Sequence, residues 1–264
     1  MTAQPQTQPQ AALTLDDIRA LARQDLPPLS AQVPPANAAA LGSFAPMRQW
    51  VADVQAKAQP SMRHPRITLF LSRHGIAEDL QQDLAALPAA LSKPSHPLSA
   101  IASEINADLQ VYELDLTTAS GNPQNGAAMD ETGAMQALAY GMMAVQPGVD
   151  TVVIALPNPA VPMAAKAIAH ALGHKQDALD VLLQYGSFDI AAALGAALAA
   201  RLAKAPVLLD DSAEIIAPLL AALSPAAALH VLPARAVIPQ EMAPAAGIRG
   251  AMALALFKAI SKAA

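Results

Sequence analysis

Cysteine is absent from this 264-residue chain. That excludes a disulfide scaffold, thiolate-bound zinc, an iron–sulfur cluster and thiol catalysis. Aromatic residues contribute only 3% against 54% for hydrophobic residues as a whole. Alanine is the commonest residue, so the core is built from small side chains that let elements approach closely. Positive charge is in deficit, with 16 lysines and arginines against 21 acids and a net charge of −5. A nucleic-acid-binding surface is normally basic, so no nucleic-acid partner is expected. Long apolar runs are missing as well. The most apolar window, residues 190–200, lies between Asp189 and Arg201, and a membrane span needs roughly 20 residues. The opening MTAQPQTQPQ has neither a basic residue nor an apolar stretch, unlike a secretory signal. The expectation is a soluble cytoplasmic protein without a membrane partner. Glycine-rich phosphate loops are also missing: there is no G-x-G-x-x-G, no G-x-x-x-x-G-K-S/T and no G-x-S-x-G elbow. Dinucleotide oxidoreductases, P-loop enzymes and α/β-hydrolases lose support accordingly.

What is present reads as one α/β domain over residues 13–264, preceded by a disordered Gln/Pro tail, 1–12. An N-terminal helical arm covers 13–60. In it Thr14 N-caps a first helix with Asp17 three residues on, and Pro27, Pro28, Pro34 and Pro35 keep the chain extended. Phe44, Met47, Trp50, Val51 and Val54 recur at helical spacing, and Trp50 reads as a core residue. Short β-rich runs at 67–71, 109–114, 151–156 and 206–209, with a weaker one at 229–232, read as strands. Helical segments separate them: 76–91, 98–107, 130–145, 161–172 capped by Gly173, 177–184, 188–203, 212–223 and 250–263. The helix at 188–203 is apolar all round, so it is expected in the core or at a homodimer interface. This alternation predicts a Rossmann-like, mostly parallel sheet with helices on both faces and a small helical lobe from the N- and C-terminal helices.

In such sheets ligands bind beyond the carboxyl ends of the strands. The first candidates are therefore Ser72-Arg73-His74-Gly75, Asp115 with Thr117 and Thr118, Asn158, and Asp210-Asp211. A base role for His74 needs a partner carboxylate, and Asp210 supplies one only if their strands are neighbours. Asp210 and Asp211 suit a divalent cation carrying phosphates, or equally a helix N-cap. His170 and His174 are four residues apart, a spacing that can hold a metal. Because Gly173 is expected to end the helix between them, they read as a surface pair. No metal site and no cofactor are expected.

The stretch DALDVLLQYGSFDIAAALG, residues 177–195, resembles a signature of the nicotinate-nucleotide–dimethylbenzimidazole phosphoribosyltransferase family, roughly D-P-L-E-x-L-x-x-x-G-G-x-D/E-I-A-A-x-x-G. Asp177, Leu179, Leu182, Gly186, Asp189, Ile190, Ala191, Ala192 and Gly195 fit it. Arg201 and Pro206-Val-Leu-Leu-Asp210 resemble the following R-x-P-V-x-x-D strand. Arg73-His74-Gly75-Ile76 resembles F-A-x-D-H-G-V, Pro34-Pro35 with Leu41-Gly42 resembles a P-P-G-S-L-G arm, and Gly250 to Leu256 resembles the closing G-A-A-L-A-L helix.

The resemblance implies a Rossmann-like homodimer that moves phosphoribose from nicotinate mononucleotide to a benzimidazole, giving the lower ligand of cobalamin. It also implies a glutamate near the C-terminus as proton acceptor and a glycine-rich loop for the phosphate. Against that pattern Gly247 stands where the glutamate is expected, residues 155–162 replace the glycine-rich loop, and Arg73 replaces an aspartate. The expectation is a divergent homologue that binds a nucleotide, a phosphate-like anion or a benzimidazole-like base through Arg73, His74, Asn158, Asp210, Asp211 and Arg249. It would act without catalysis, as a homodimer or beside a catalytic paralogue. Three alternatives stay open: an active transferase using His74 or Glu241 as base, a purely structural partner in a hetero-oligomer with no ligand, and a cleft closed by Arg73 and Arg249 pairing with Asp210, Asp211 or Glu241.

Overall fold

The computed structural model describes residues 13–24, 41–81, 83–239 and 246–262. The expected tail at 1–12, the prolines at 27–35 and Glu241 lie outside the described residues. Five strands form one sheet: β1 (Pro65–Leu71), β2 (Asp108–Glu113), β3 (Thr151–Ala155), β4 (Val207–Leu209) and β5 (Val231–Pro233). Their order is β2-β1-β3-β4-β5 and every pairing is parallel. One register row runs Leu109, Ile67, Val153, Leu208, Leu232.

Alternation along the strands sorts side chains onto two faces. Phe70, Val152, Ile154, Val207 and Leu209 enter one core. That core holds α1 (Leu15–Arg23), α5 (Glu131–Met142), α6 (Val161–Gly173), α7 (Ala178–Tyr185), α8 (Phe188–Leu202) and α9 (Ile216–Leu223). Ile67, Leu69, Val153, Ala155 and Leu208 enter the other core, under α2 (Ala45–Gln55), α4 (Pro97–Glu104) and α10 (Ile248–Lys262), with Leu91 of the short α3 (Leu87–Leu91). α2 and α10 lie together, with the rings of Trp50 and Phe257 5.7 Å apart. The helical lobe expected from the chain ends therefore holds for α2 and α10. α1 packs on the opposite face, where Arg19 meets Asp177 at 3.0 Å and Arg201 reaches the Leu21 carbonyl.

The apolar helix is core. Twelve residues of α8 are buried, including Asp189 and Arg201. Gly195 and Gly141 bring the backbones of α8 and α5 into contact: a Cβ on Gly195 would sit 2.1 Å from the Leu138 carbonyl oxygen, and one on Gly141 1.8 Å from that of Ala192. Only glycine fits at either place.

Local chemistry matches the sequence at several ends. Thr14 and Asp17 form the reciprocal capping box of α1, Asp130 caps α5 and Asp177 caps α7. Two expectations are corrected. Residues 76–91 are not one helix but two 3₁₀ turns, Glu78–Gln81 and Leu84–Ala86, followed by α3. The Gln81 amide donates to the carbonyls of His74, Ile76 and Ala77, which ties up acceptors a helix would use. Pro88 stands in the first turn of α3, where a missing N–H costs nothing, and so starts a helix rather than ending one. Gly173 does not stop α6 early. The helix runs through it, His174 caps it, and the left-handed residue is Lys175 at φ 59°. Among the described residues no helix is long and apolar enough to cross a membrane.

Candidate ligand site at the carboxyl edge of the sheet

In the order β2-β1-β3, successive connections leave β1 in opposite directions, so a crevice opens between the carboxyl ends of β1 and β3. His74 follows β1 there and Asn158 follows β3; both are buried. The Asn158 amide donates to the Ser72 carbonyl at 2.6 Å and to Gln81 Oε1 at 2.8 Å. Gln81 Oε1 also accepts from the His74 amide at 2.8 Å. His74 Nε2 lies 2.9 and 3.0 Å from the two oxygens of Asp189. The hydroxyl of Ser187 donates to the same carboxylate, and the Asp189 amide donates to Ser72 Oγ at 3.1 Å.

Asp189 sits in the first turn of α8, where the helix dipole favours a negative charge. Complete burial, the largest influence, raises its pKa. The adjoining His74 ring and the Ser187 and Ser72 hydroxyls outweigh that and hold the carboxyl below its ordinary 3.8. An ionised Asp189 accepts, so His74 carries its proton on Nε2. His74 Nδ1 is buried with no hydrogen-bond partner among the described residues.

The partner expected for His74 was Asp210, and this is corrected: β3 stands between β1 and β4, and the carboxylate comes from α8. Asp210 organises a second cluster. Its Oδ1 accepts from the Gly250 amide at 3.0 Å, anchoring the start of α10, and its Oδ2 accepts from Ser212 Oγ at 3.0 Å. It caps the 3₁₀ turn Asp211–Ala213, in line with the N-cap alternative. Arg249 Nε is 3.1 Å from Asp211, and Arg235 is 2.7 Å from Glu214. Partial burial raises the pKa of both Asp211 and Glu214 above the ordinary values, against the pull of these arginines. The two clusters join where Ser212 Oγ accepts from the Leu156 amide at 3.0 Å.

Arg73 stands apart from both, paired through its backbone with Ala119, and its Nε is buried without a hydrogen-bond partner among the described residues. Asp115, after β2, closes its own turn by accepting from the Thr117 hydroxyl and from the amides of Thr117 and Thr118. The threonine side chains, Thr117 foremost, followed by these amides, hold its carboxyl at about 2. A pocket of about 280 Å³ opens beside the β1–β3 crevice. Leu69, Leu80, Leu84, Leu87, Leu91, Pro157 and Pro159 give it apolar walls, with Asp83 and His96 as its polar groups.

Sequence reasoning missed Gln81, Ser212, Glu214 and Arg235, whereas Ser72, named with the run after β1, does enter the network. For Asp189 a signal existed. A carboxylate opening a helix that is apolar all round must be buried, and a buried carboxylate needs a partner.

The Phosphoribosyltransferase family model matches residues 29–158 and 155–243 of this chain. The chain belongs to the nicotinate-nucleotide–dimethylbenzimidazole phosphoribosyltransferase family. Proteins of that name from Brucella anthropi and Brucella canis are each 28% identical to it over 243 residues, spanning 74% of this chain and 70% of theirs. The crystal structure of the enzyme so named from Thermus thermophilus superposes with a TM-score of 0.71 at 16% identity, covering 95% of this chain and 96% of that one. A structure of CobT from the same organism gives 0.70 at 16% identity, with 93% and 95% covered. At that identity the superpositions speak for the fold: the family's parallel α/β sheet is the one described above.

Proposed function

We propose that this protein binds a flat heteroaromatic base of the benzimidazole class and does not itself transfer phosphoribose to it. The observation that carries this reading is the state of the amides from residue 156 to 164, which take in the stretch 155–162 where the family resemblance puts a phosphate loop and the start of the helix after it. Pro157, Pro159 and Pro162 have no N–H. Leu156 donates to Ser212 Oγ, Ala160 to Asn158 Oδ1, Val161 to the Asn158 carbonyl, and Met163 and Ala164 to the Ala160 carbonyl. A helix N-terminus holds a phosphate through free amides, and all of these except the Asn158 N–H are engaged.

Gly247 adds support. It has φ 88°, a conformation that strains any side chain, and a Cβ there would lie 2.9 Å from Leu98. A glutamate is poorly accommodated at that position. Of the two arginines expected to hold an anion, Arg249 is ion-paired with Asp211 although its buried Nε makes no hydrogen bond, while Arg73 has neither ion pair nor hydrogen bond at its Nε among the described residues, which favours Arg73 for a phosphate or carboxylate group. The apolar pocket beside the crevice suits a neutral bicyclic base. In this reading the protein is cytoplasmic and works as a homodimer or beside a catalytic paralogue.

Calorimetry with dimethylbenzimidazole and with nicotinate mononucleotide, paired with a turnover assay on the mixture, tests the proposal. The base binds, Leu84→Glu abolishes its heat, and no phosphoribosylated product forms. Product above background would overturn it. One observation favours an active second reading: the unpartnered Nδ1 of His74, backed by ionised Asp189, is arranged to accept a proton. Turnover that disappears in His74→Gln would establish that reading.

A further inference from the structure

We infer that His170 and His174, at the C-terminal end of α6, form a two-histidine site for a first-row transition cation such as Zn²⁺, Ni²⁺ or Cu²⁺. Because α6 continues through Gly173, the two residues stand one turn apart on the same exposed face, with ring centroids 4.5 Å apart and planes tilted by 53°. His174 Nδ1 lies 2.8 Å from the His170 carbonyl oxygen. That oxygen can only accept, so Nδ1 carries the proton and the lone pair is on the free Nε2. A backbone carbonyl fixing the tautomer in this way is the usual outer support of a metal-binding histidine.

The His170 ring makes no hydrogen bond to the described residues and is free to turn toward its neighbour. Two imidazole nitrogens about 2 Å from a tetrahedral ion stand about 3.4 Å apart, within reach of rings at this separation. The helix C-terminus adds a favourable field for a cation. Imidazole donors select ions that prefer nitrogen ligands, which excludes Mg²⁺ and Ca²⁺. Two protein ligands leave the remaining positions to water, so the site is open.

The test is calorimetric titration of the untagged full-length protein with Zn²⁺ and Ni²⁺. One equivalent binds to the wild type, with Ni²⁺ below Cu²⁺ in a competition series. Single substitutions His170→Ala and His174→Ala each weaken binding by ~100-fold, the loss expected when a chelate becomes a single contact. A relocated pair, His174→Ala with Lys175→His, keeps the number of histidines and breaks the spacing; it also loses the tight equivalent. Both side chains are exposed, and circular dichroism checks that each variant folds. Saturating Zn²⁺ raises the melting midpoint of the wild type and leaves that of the variants unmoved. Binding unchanged in either alanine variant or in the relocated pair, or no wild-type binding at millimolar metal, overturns the assignment.

Discussion

The two halves of the carboxyl edge are built on opposite principles. At the ends of β1 and β3, His74, Asp189, Asn158 and Gln81 are all buried and bond to one another and to the backbone. At the ends of β4 and β5, apart from the buried Asp210 that anchors α10, the charges come in pairs with one member in water: the Arg235 side chain is 65% exposed and that of Asp211 42%. A buried network in a medium of low polarity is strong when complete and costly when broken. Half-solvated ion pairs are screened and contribute little. The first half therefore sets the geometry of the crevice, and the second adjusts its charge without holding it up.

The largest effect should come from breaking the buried half. Asp189→Ala removes one member of a buried pair and leaves His74 and Ser187 without their acceptor. A loss of about 3–5 kcal/mol is expected, read as a lower urea midpoint. The pH dependence carries the same signature. Asp189 titrates below 3.8 in the folded protein, so its contribution is fully present above the unfolded value and is lost as pH falls through the folded one. The gap between wild type and Asp189→Ala should narrow below about pH 4. A gap that stays constant with pH would mean that Asp189 contributes by packing alone.

An intermediate effect tests whether the rigid half extends along α8. Gly195→Leu forces α8 off α5 and should cost about 1–3 kcal/mol, lowering the melting midpoint by several degrees. An unchanged midpoint would refute the close contact at Leu138. The smallest effect belongs to the solvated half. Arg249→Ala breaks the pair with Asp211 and should change stability by less than about 1 kcal/mol, an amount that shrinks further in high salt. A loss as large as that of Asp189→Ala would erase the distinction between the two halves.

Much of this was legible in the chain. The β-rich runs at 67–71, 109–114, 151–156 and 206–209 are strands of one parallel sheet, with ends shifted by a residue or two. Strand and helix character depends on side-chain pattern within a few residues, which is why it reads locally. The segment at 177–195 pointed to the family, Thr14 marked a helix start through capping chemistry that acts over three residues, and the helix starts expected at 130 and 177 fall on residues the structure shows as caps. Failures fell where a side chain competed with the backbone, as Gln81 does across 76–91, or where a glycine was read as a stop, as at Gly173.

Which residues meet was beyond the sequence. It put His74, Asn158 and Asp210 at strand ends and left their neighbours open, since sheet order is set by how crossovers pack and not by any one residue. The order β2-β1-β3-β4-β5 separates His74 from Asp210 and hands it to Asp189, 115 positions along the chain. By itself the sequence determined the alternation of elements, the small-residue core and the family, because periodicity, volume and motif are properties of short segments. Tertiary structure alone decided the buried His74–Asp189 pair, the engaged amides after β3 and the facing histidines of α6, because each depends on where distant or helically stacked atoms stop relative to one another.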